Sequence, residues 1–264
     1  MKTTNMVSFF LGCLFCCVVA LTLMNCQMNP GTASQALVTE KQECLLKHFV
    51  HMTEEAYPMT VAIDVPESGM QPLVDSVALF LNEALYAFFD NGENRVPFEK
   101  VFTKDVKQLL EHYRSAYSPF ILSDSTEEHD FASDCLEVNL VSQTDRYVTF
   151  QVNSVFYGEG VEIASEWVTF AKSDGHRLRE VISEYDMLRF YREHPEQRSD
   201  DIWENLLNHC YEDDSLYDIV CSVGLLDDSL AHQYVYAAGI FEDVKYPLNS
   251  IAPYLSKEAQ ELIR

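Results

Sequence analysis

Between Leu136 and Gly175 the chain alternates in three successive runs, and few folds accept that pattern. Leu136, Val138 and Leu140 alternate with Glu137 and Asn139. After Gln143-Thr144-Asp145, the residues Val148, Phe150 and Val152 alternate with Tyr147, Thr149, Gln151 and Asn153. After Tyr157-Gly158-Glu159-Gly160 comes a third run. There Val161, Ile163, Ser165, Trp167 and Thr169 alternate with Glu162, Ala164, Glu166, Val168 and Phe170. A period of two puts successive side chains on opposite faces of a strand. Short polar breaks, ending in the hairpin signal Asp174-Gly175, predict an antiparallel meander.

The flanks have other periods. Tyr57 to Val65 alternates and reads as a strand, closed by Pro66-Glu67-Ser68-Gly69. From Pro72 to Phe89, Leu73, Val77, Leu81, Ala84, Leu85 and Phe88 form one helical stripe that ends at Asn91-Gly92. A second helix is predicted from Lys104 to Tyr113. Ser123 to Asp134 is polar, acidic and reads as a surface loop; it lacks the ligand spacing of a calcium loop. Helices are predicted again over Val181 to Arg192 and Asp200 to His209. Strands follow over Tyr217 to Val223, Leu230 to Val235 and Ile240 to Lys245, with a last helix from Ile251 to Leu262. Strands and helices arrive in blocks, which predicts an α+β fold. An antiparallel sheet packs against helices, with a smaller N-terminal strand-helix subdomain at 41–131 and the main domain at 132–264.

The N-terminus reads as a targeting segment. Lys2 precedes an uncharged run from Val7 to Met24, the order of a secretory signal spanning 1–25. The run ends Leu23-Met24-Asn25-Cys26, a pattern like that of a lipidation site on Cys26, with Asn25 a departure from the usual small residue. The expectation is a chain lipid-anchored to a bacterial envelope membrane, its domain outside the cytoplasm. An uncleaved anchor and plain secretion are the alternatives. Residues 26–40 begin polar, with Pro30 and Gly31, and read as a flexible tether.

Charge narrows the partners. The chain carries 18 basic and 42 acidic residues; processing at Cys26 removes only Lys2, leaving 17 against 42 and a net charge of -25. That excess argues against nucleic acid and anionic lipid and suits a cationic partner or solubility alone. Cys44, Cys135, Cys210 and Cys221 follow Cys26. Four cysteines allow three pairings, and free thiols are the alternative. Cys210 and Cys221 bracket the acidic turn Asp213-Asp214, so a bridge between them would close a short loop.

No catalytic motif emerges. The chain has no G-x-S-x-G elbow, H-E-x-x-H, phosphate loop or Rossmann glycine set, and its cysteines form no C-x-x-C pair. His48 and His51 lie three apart but read as surface residues. Asp213-Asp214 and Asp227-Asp228 read as turns. No metal and no cofactor are expected, although a site assembled in space from distant residues stays open.

Two segments carry a resemblance. One is Tyr157-Gly158-x-Gly160, then Trp167-Val168-Thr169-Phe170 and Asp174-Gly175. The other is Tyr234-x-Tyr236-Ala237-Ala238-Gly239, then Tyr246-Pro247-Leu248, Ile251 and Pro253-Tyr254-Leu255. Together they resemble the domain of unknown function shared by the C-terminal part of the RsiV anti-sigma factor and the non-catalytic part of the PdaC peptidoglycan deacetylase. Relatives often read Tyr-x-Gly-Gly-Ala-His where this chain has Tyr157-Gly158-Glu159-Gly160-Val161-Glu162, so any role of that histidine does not carry over. The resemblance implies an envelope-facing recognition module, and in the RsiV relative the ligand is lysozyme, a cationic protein. The sigma-binding and deacetylase parts of those proteins are not expected here. The expected function is therefore a non-catalytic envelope lipoprotein that recognises a protein or cell-wall ligand, with Tyr234 and Tyr236 as candidate aromatic anchors and a place in the strand core as the alternative for both. The rivals are an envelope hydrolase or peptidoglycan-modifying enzyme with an unrecognised site, and a structural subunit of an envelope complex.

Overall fold

The chain enters its first sheet at β1 (Val38–Phe49), which pairs antiparallel with β2 (Ala56–Ser68). The computed structural model describes residues 35–49, 56–90, 103–117, 134–157, 161–197, 223–236 and 240–264. The signal, Cys26, His51, Cys210, Cys221, Asp213-Asp214 and the helix expected at 200–209 lie outside them, as does the acidic loop up to 133. β1 starts inside the stretch expected to be tether, because Leu37 is buried and its backbone is tied to Gln143.

Helices α1 (Gln71–Asp90) and α2 (Val106–Tyr117) follow, then β3 (Asp134–Gln143), β4 (Tyr147–Tyr157) and β5 (Val161–Ala171). The sheet order is β1-β2-β3-β4-β5. The meander β3–β5 is antiparallel as expected. The β2–β3 pair is not: it is parallel, from Met59 opposite Asp134 to Ile63 opposite Val138. The reason is topological. The helical crossover returns the chain to the same end of the sheet, which a tight hairpin cannot do. The N-terminal strands β1 and β2 thus share one sheet with β3–β5 across the boundary drawn at 131/132.

Alternation decides the faces. Met59, Val61, Ile63, Leu136, Val138, Val148, Phe150, Val152, Val168 and Phe170 are buried on one face. Against them α1 places Leu73, Val77, Leu81, Leu85 and Phe88. Phe80 of α1 meets Phe170 edge-on at 5.7 Å and Phe150 at 6.1 Å. Over Gln71–Phe89 the helix is long and apolar enough to cross a membrane, yet its stripe is spent on this core. The turn after β5 abuts the start of α1. Gly175 has φ +77, and a Cβ there would lie 2.4 Å from the Pro72 carbonyl oxygen, so only glycine fits.

The second layer covers the other face of β4 and β5. Strands β6 (Val223–Leu225), β7 (Ser229–Tyr236) and β8 (Ile240–Pro247) form an antiparallel sheet in that order. Hydroxyls of the first sheet hold its leading edge. Thr149 Oγ1 donates to the Leu225 carbonyl at 2.7 Å, and Thr169 Oγ1 accepts from the Leu225 amide at 3.4 Å. The two hydroxyls lie 3.0 Å apart, and since the Thr149 proton is taken, Thr169 donates to Thr149. Tyr147 donates to the Leu226 carbonyl at 2.7 Å; burial, with Asp227 and Asp228 nearby, pushes its hydroxyl up to about 12 and keeps it a neutral donor. A register shift between Leu140 and Ser142 turns Ser142 to this face, where it donates to Asp227 at 2.6 Å.

A second core forms below. Helix α3 (Glu184–Glu193) is capped by Ser183, which accepts from the Asp186 amide at 3.1 Å. It starts three residues later than expected because Ile182 bridges to Leu255 as a strand residue. The C-terminal helix expected over Ile251 to Leu262 is interrupted. Helix α4 (Leu248–Ile251) gives way to a single 3-10 turn containing Pro253, and Ser256 caps α5 (Lys257–Ile263). Proline removes the amide a continuous helix would need. Phe190, Tyr191, Tyr246, Ile251, Leu255 and Ala259 close this core, with a 2.7 Å hydrogen bond between the Tyr191 and Tyr246 hydroxyls.

A pair of clefts divided by Arg177

The site begins with a gap in a stripe. Phe80, Glu83, Ala84, Ala87 and Phe88 fall at i, i+3, i+4, i+7 and i+8 of α1, one helical face. The outer positions are phenylalanines, and of the three between them two, Ala84 and Ala87, are alanines. The space they leave is a cleft of about 360 Å³, closed on the sheet side by Leu136, Val152, Ser154, Ser165 and Glu166, with Arg177 at one end. Its floor is apolar and its rim is polar.

The Asp174-Gly175 turn positions Arg177. The turn folds the chain back so that Arg177 bridges to Phe170 on the edge of β5. Its Nη2 donates to Glu166, its Nη1 stands 3.8 Å from Glu83, and its guanidinium carbon lies 5.7 Å from the Phe80 ring centre. On the far side of Arg177 is a second cleft of about 560 Å³. Glu166, Trp167, Thr169, Leu178, Arg179, Glu180, Val181, Glu184 and Val223 line it with Arg177. Tyr185, next to Glu184, is 71% exposed. Arg177 and Glu166 line both clefts and form a wall they share.

The neighbouring His176 anchors the turn. Its Nδ1 lies 2.5 Å from Asp174, and its Nε2 meets Glu258 of α5. Burial pulls its pKa down, but the hydrogen bonds to Asp174 and Glu258 outweigh it and the net shift is upward. Trp167 is held from the other side, its ring packed on the backbone of Gly224; its indole N–H is out of solvent and donates to no acceptor among the described residues.

Chemically, the arrangement suits holding a ligand. Glu166, the carboxylate that lines both clefts, is paired with Arg177. Among the described residues no group of three histidine, cysteine, aspartate or glutamate side chains is placed to hold a metal ion.

The residues singled out in the sequence fall elsewhere. Tyr234 and Tyr236 occupy β7 opposite Glu242 and Ile240, and their side chains lie outside the described part. Cys135 is a free, half-buried thiol on β3, its pKa raised by burial first and by Glu137 and Asp134. Cys44 and His48 stand opposite Val61 and Tyr57 in β1. Arg177, Glu83 and Glu166 were not singled out. The signals for them were the alanine gap in the α1 stripe and the Asp174-Gly175 hairpin, which sets Arg177 beside β5.

No family model matches the chain, and no curated protein matches it. Its structural neighbours among solved structures are proteins of DUF3298, a family of unknown function. A member from Bacteroides fragilis is 14% identical with a TM-score of 0.49, the match covering 88% of this chain and 99% of that one. A family protein from Pseudomonas aeruginosa PAO1 is 11% identical with a TM-score of 0.48, covering 86% and 98%.

Proposed function

We propose that this chain is a non-catalytic, RsiV-like recognition protein of the bacterial envelope, anchored by lipid on Cys26, and that it captures a cationic protein or cell-wall ligand. The observation that carries the recognition half is the shared wall at Arg177. One ion pair lines both depressions, with Trp167 in the wall of the larger one and Tyr185 exposed beside it. Tryptophan, tyrosine and arginine are the residues that concentrate binding energy at protein interfaces. Support for a cationic ligand comes from the net charge of -25 after loss of Lys2, with Glu83, Glu180 and Glu184 on the cleft walls. Such a field speeds encounter with basic proteins. The anchor reading is supported by the apolar run ending at Leu23-Met24-Asn25-Cys26.

Calorimetric titration with lysozyme, and with cytochrome c as an unrelated basic protein, tests the reading. The expected result is micromolar or tighter binding to lysozyme that weakens with salt but persists at physiological ionic strength, where exposed charges are screened beyond about 8 Å. Equal binding to both proteins, or complete loss at moderate salt, reduces the interaction to charge attraction and contradicts the proposal.

A further inference from the structure

We infer that the smaller cleft, between α1 and the sheet, is a receptor for a single basic side chain with an apolar stem, a lysine of the bound partner. The inference rests on the recognition reading and adds the identity of the group captured. The floor supplies the stem's environment: Phe80, Phe88, Leu136 and Val152 are all buried residues whose surfaces meet in the gap opened by Ala84 and Ala87. A lysine buries its four-carbon stem on such a surface and keeps its ammonium at the polar end. About 360 Å³ is at the small end of ligand cavities, room for one side chain rather than a folded element.

The rim selects the charge. Glu83 and Glu166 set two carboxylates against the one guanidinium of Arg177. Glu166 is bonded to Arg177, but Glu83 stands at 3.8 Å, beyond hydrogen-bond length, and is exposed, so its oxygens keep their acceptor capacity. Ser165 donates its proton to Asn153 Oδ1 at 3.0 Å, which leaves its oxygen as an acceptor toward the cleft. An ammonium brings three donors and no acceptor, the complement of this rim. A carboxylate ligand would face Glu83 and Glu166 within a chain whose net charge is -24.

The test is a ligand-observed NMR titration of the detergent-solubilised full chain. The probes are Nα-acetyl-lysine methylamide and its uncharged counterpart Nα-acetyl-norleucine methylamide. The expected result is at least tenfold tighter binding of the lysine probe, about fivefold weakening in Glu83→Gln, and loss of both probes in Ala84→Trp, which fills the gap. Ala87→Phe fills the same gap from an exposed position and serves if Ala84→Trp fails to fold. Equal binding of the two probes, no binding of either, or binding unchanged by Ala87→Phe overturns the inference. Lysozyme titrated into Ala87→Phe separates the two claims. Lysozyme binding that survives while the lysine probe never bound removes this cleft and leaves the recognition reading. Absence of lysozyme binding to the unaltered chain removes the reading itself.

Discussion

Trp167 requires glycine at position 224: a Cβ there would lie 2.6 Å from Trp167 Cε3 and 2.9 Å from its Cβ. The indole sits where β6 crosses β5, so the two sheets approach as closely as a bare backbone allows. Both atoms belong to the stiff part of the tryptophan, which cannot swing aside. Gly224→Ala should therefore cost about 1–3 kcal/mol as an overpacked contact. Urea denaturation measures it, and an unchanged midpoint would show that the layers slide freely.

Thr149 makes the same junction polar. In Thr149→Val the Leu225 carbonyl and the Thr169 hydroxyl both lose a buried partner. The expected destabilisation is about 1–3 kcal/mol, the cost of leaving such groups unmade. Thr149→Ser keeps the oxygen and should lose less than half as much by the same measurement.

Acid should loosen the second sheet through His232, which is 1% exposed. Burial pulls its pKa from 6.5 down to about 4. The unfolded chain then takes up a proton between those values that the folded one refuses. The contribution to stability is complete above pH 6.5 and disappears as pH falls toward 4, about 3 kcal/mol in all. His176 works in the opposite direction. Its pKa is raised, so the stability its tie to Asp174 and Glu258 contributes is complete just below the unfolded value of 6.5 and is lost as pH rises through its folded value. Urea midpoints from pH 4 to 8 should climb through the lower part of this range, and His232→Asn should flatten that climb.

Lipid attachment has a direct test. Cys26→Ala should abolish incorporation of labelled palmitate and leave unprocessed precursor. Undiminished labelling would refute the anchor.

Much of the fold was legible because period and burial coincide. The alternation from Leu136 to Phe170 became β3, β4 and β5, and the stripe from Leu73 to Phe88 became α1. The parallel β2–β3 pair was not legible, since a long connection constrains strand direction only after the helices pack. The shift at Val141 was hidden as well. It turns Ser142 toward Asp227, but in the sequence Leu140-Val141-Ser142 continues the run. The site was the least legible part. Tyr234 and Tyr236 stood out by composition, whereas Arg177, Glu83 and Glu166 are common surface residues. They acquire meaning only once the Gly175 turn and the faces of α1 and β5 bring them together.

The central claim is that recognition occurs at the clefts flanking Arg177. Hydrogen-exchange mass spectrometry of the chain with and without lysozyme tests it most directly. Bound lysozyme should slow exchange over Phe80–Phe88 and over Arg177–Tyr185, with little change in β1 and β2. Protection confined to other elements, or unchanged exchange at saturating lysozyme, would contradict the account.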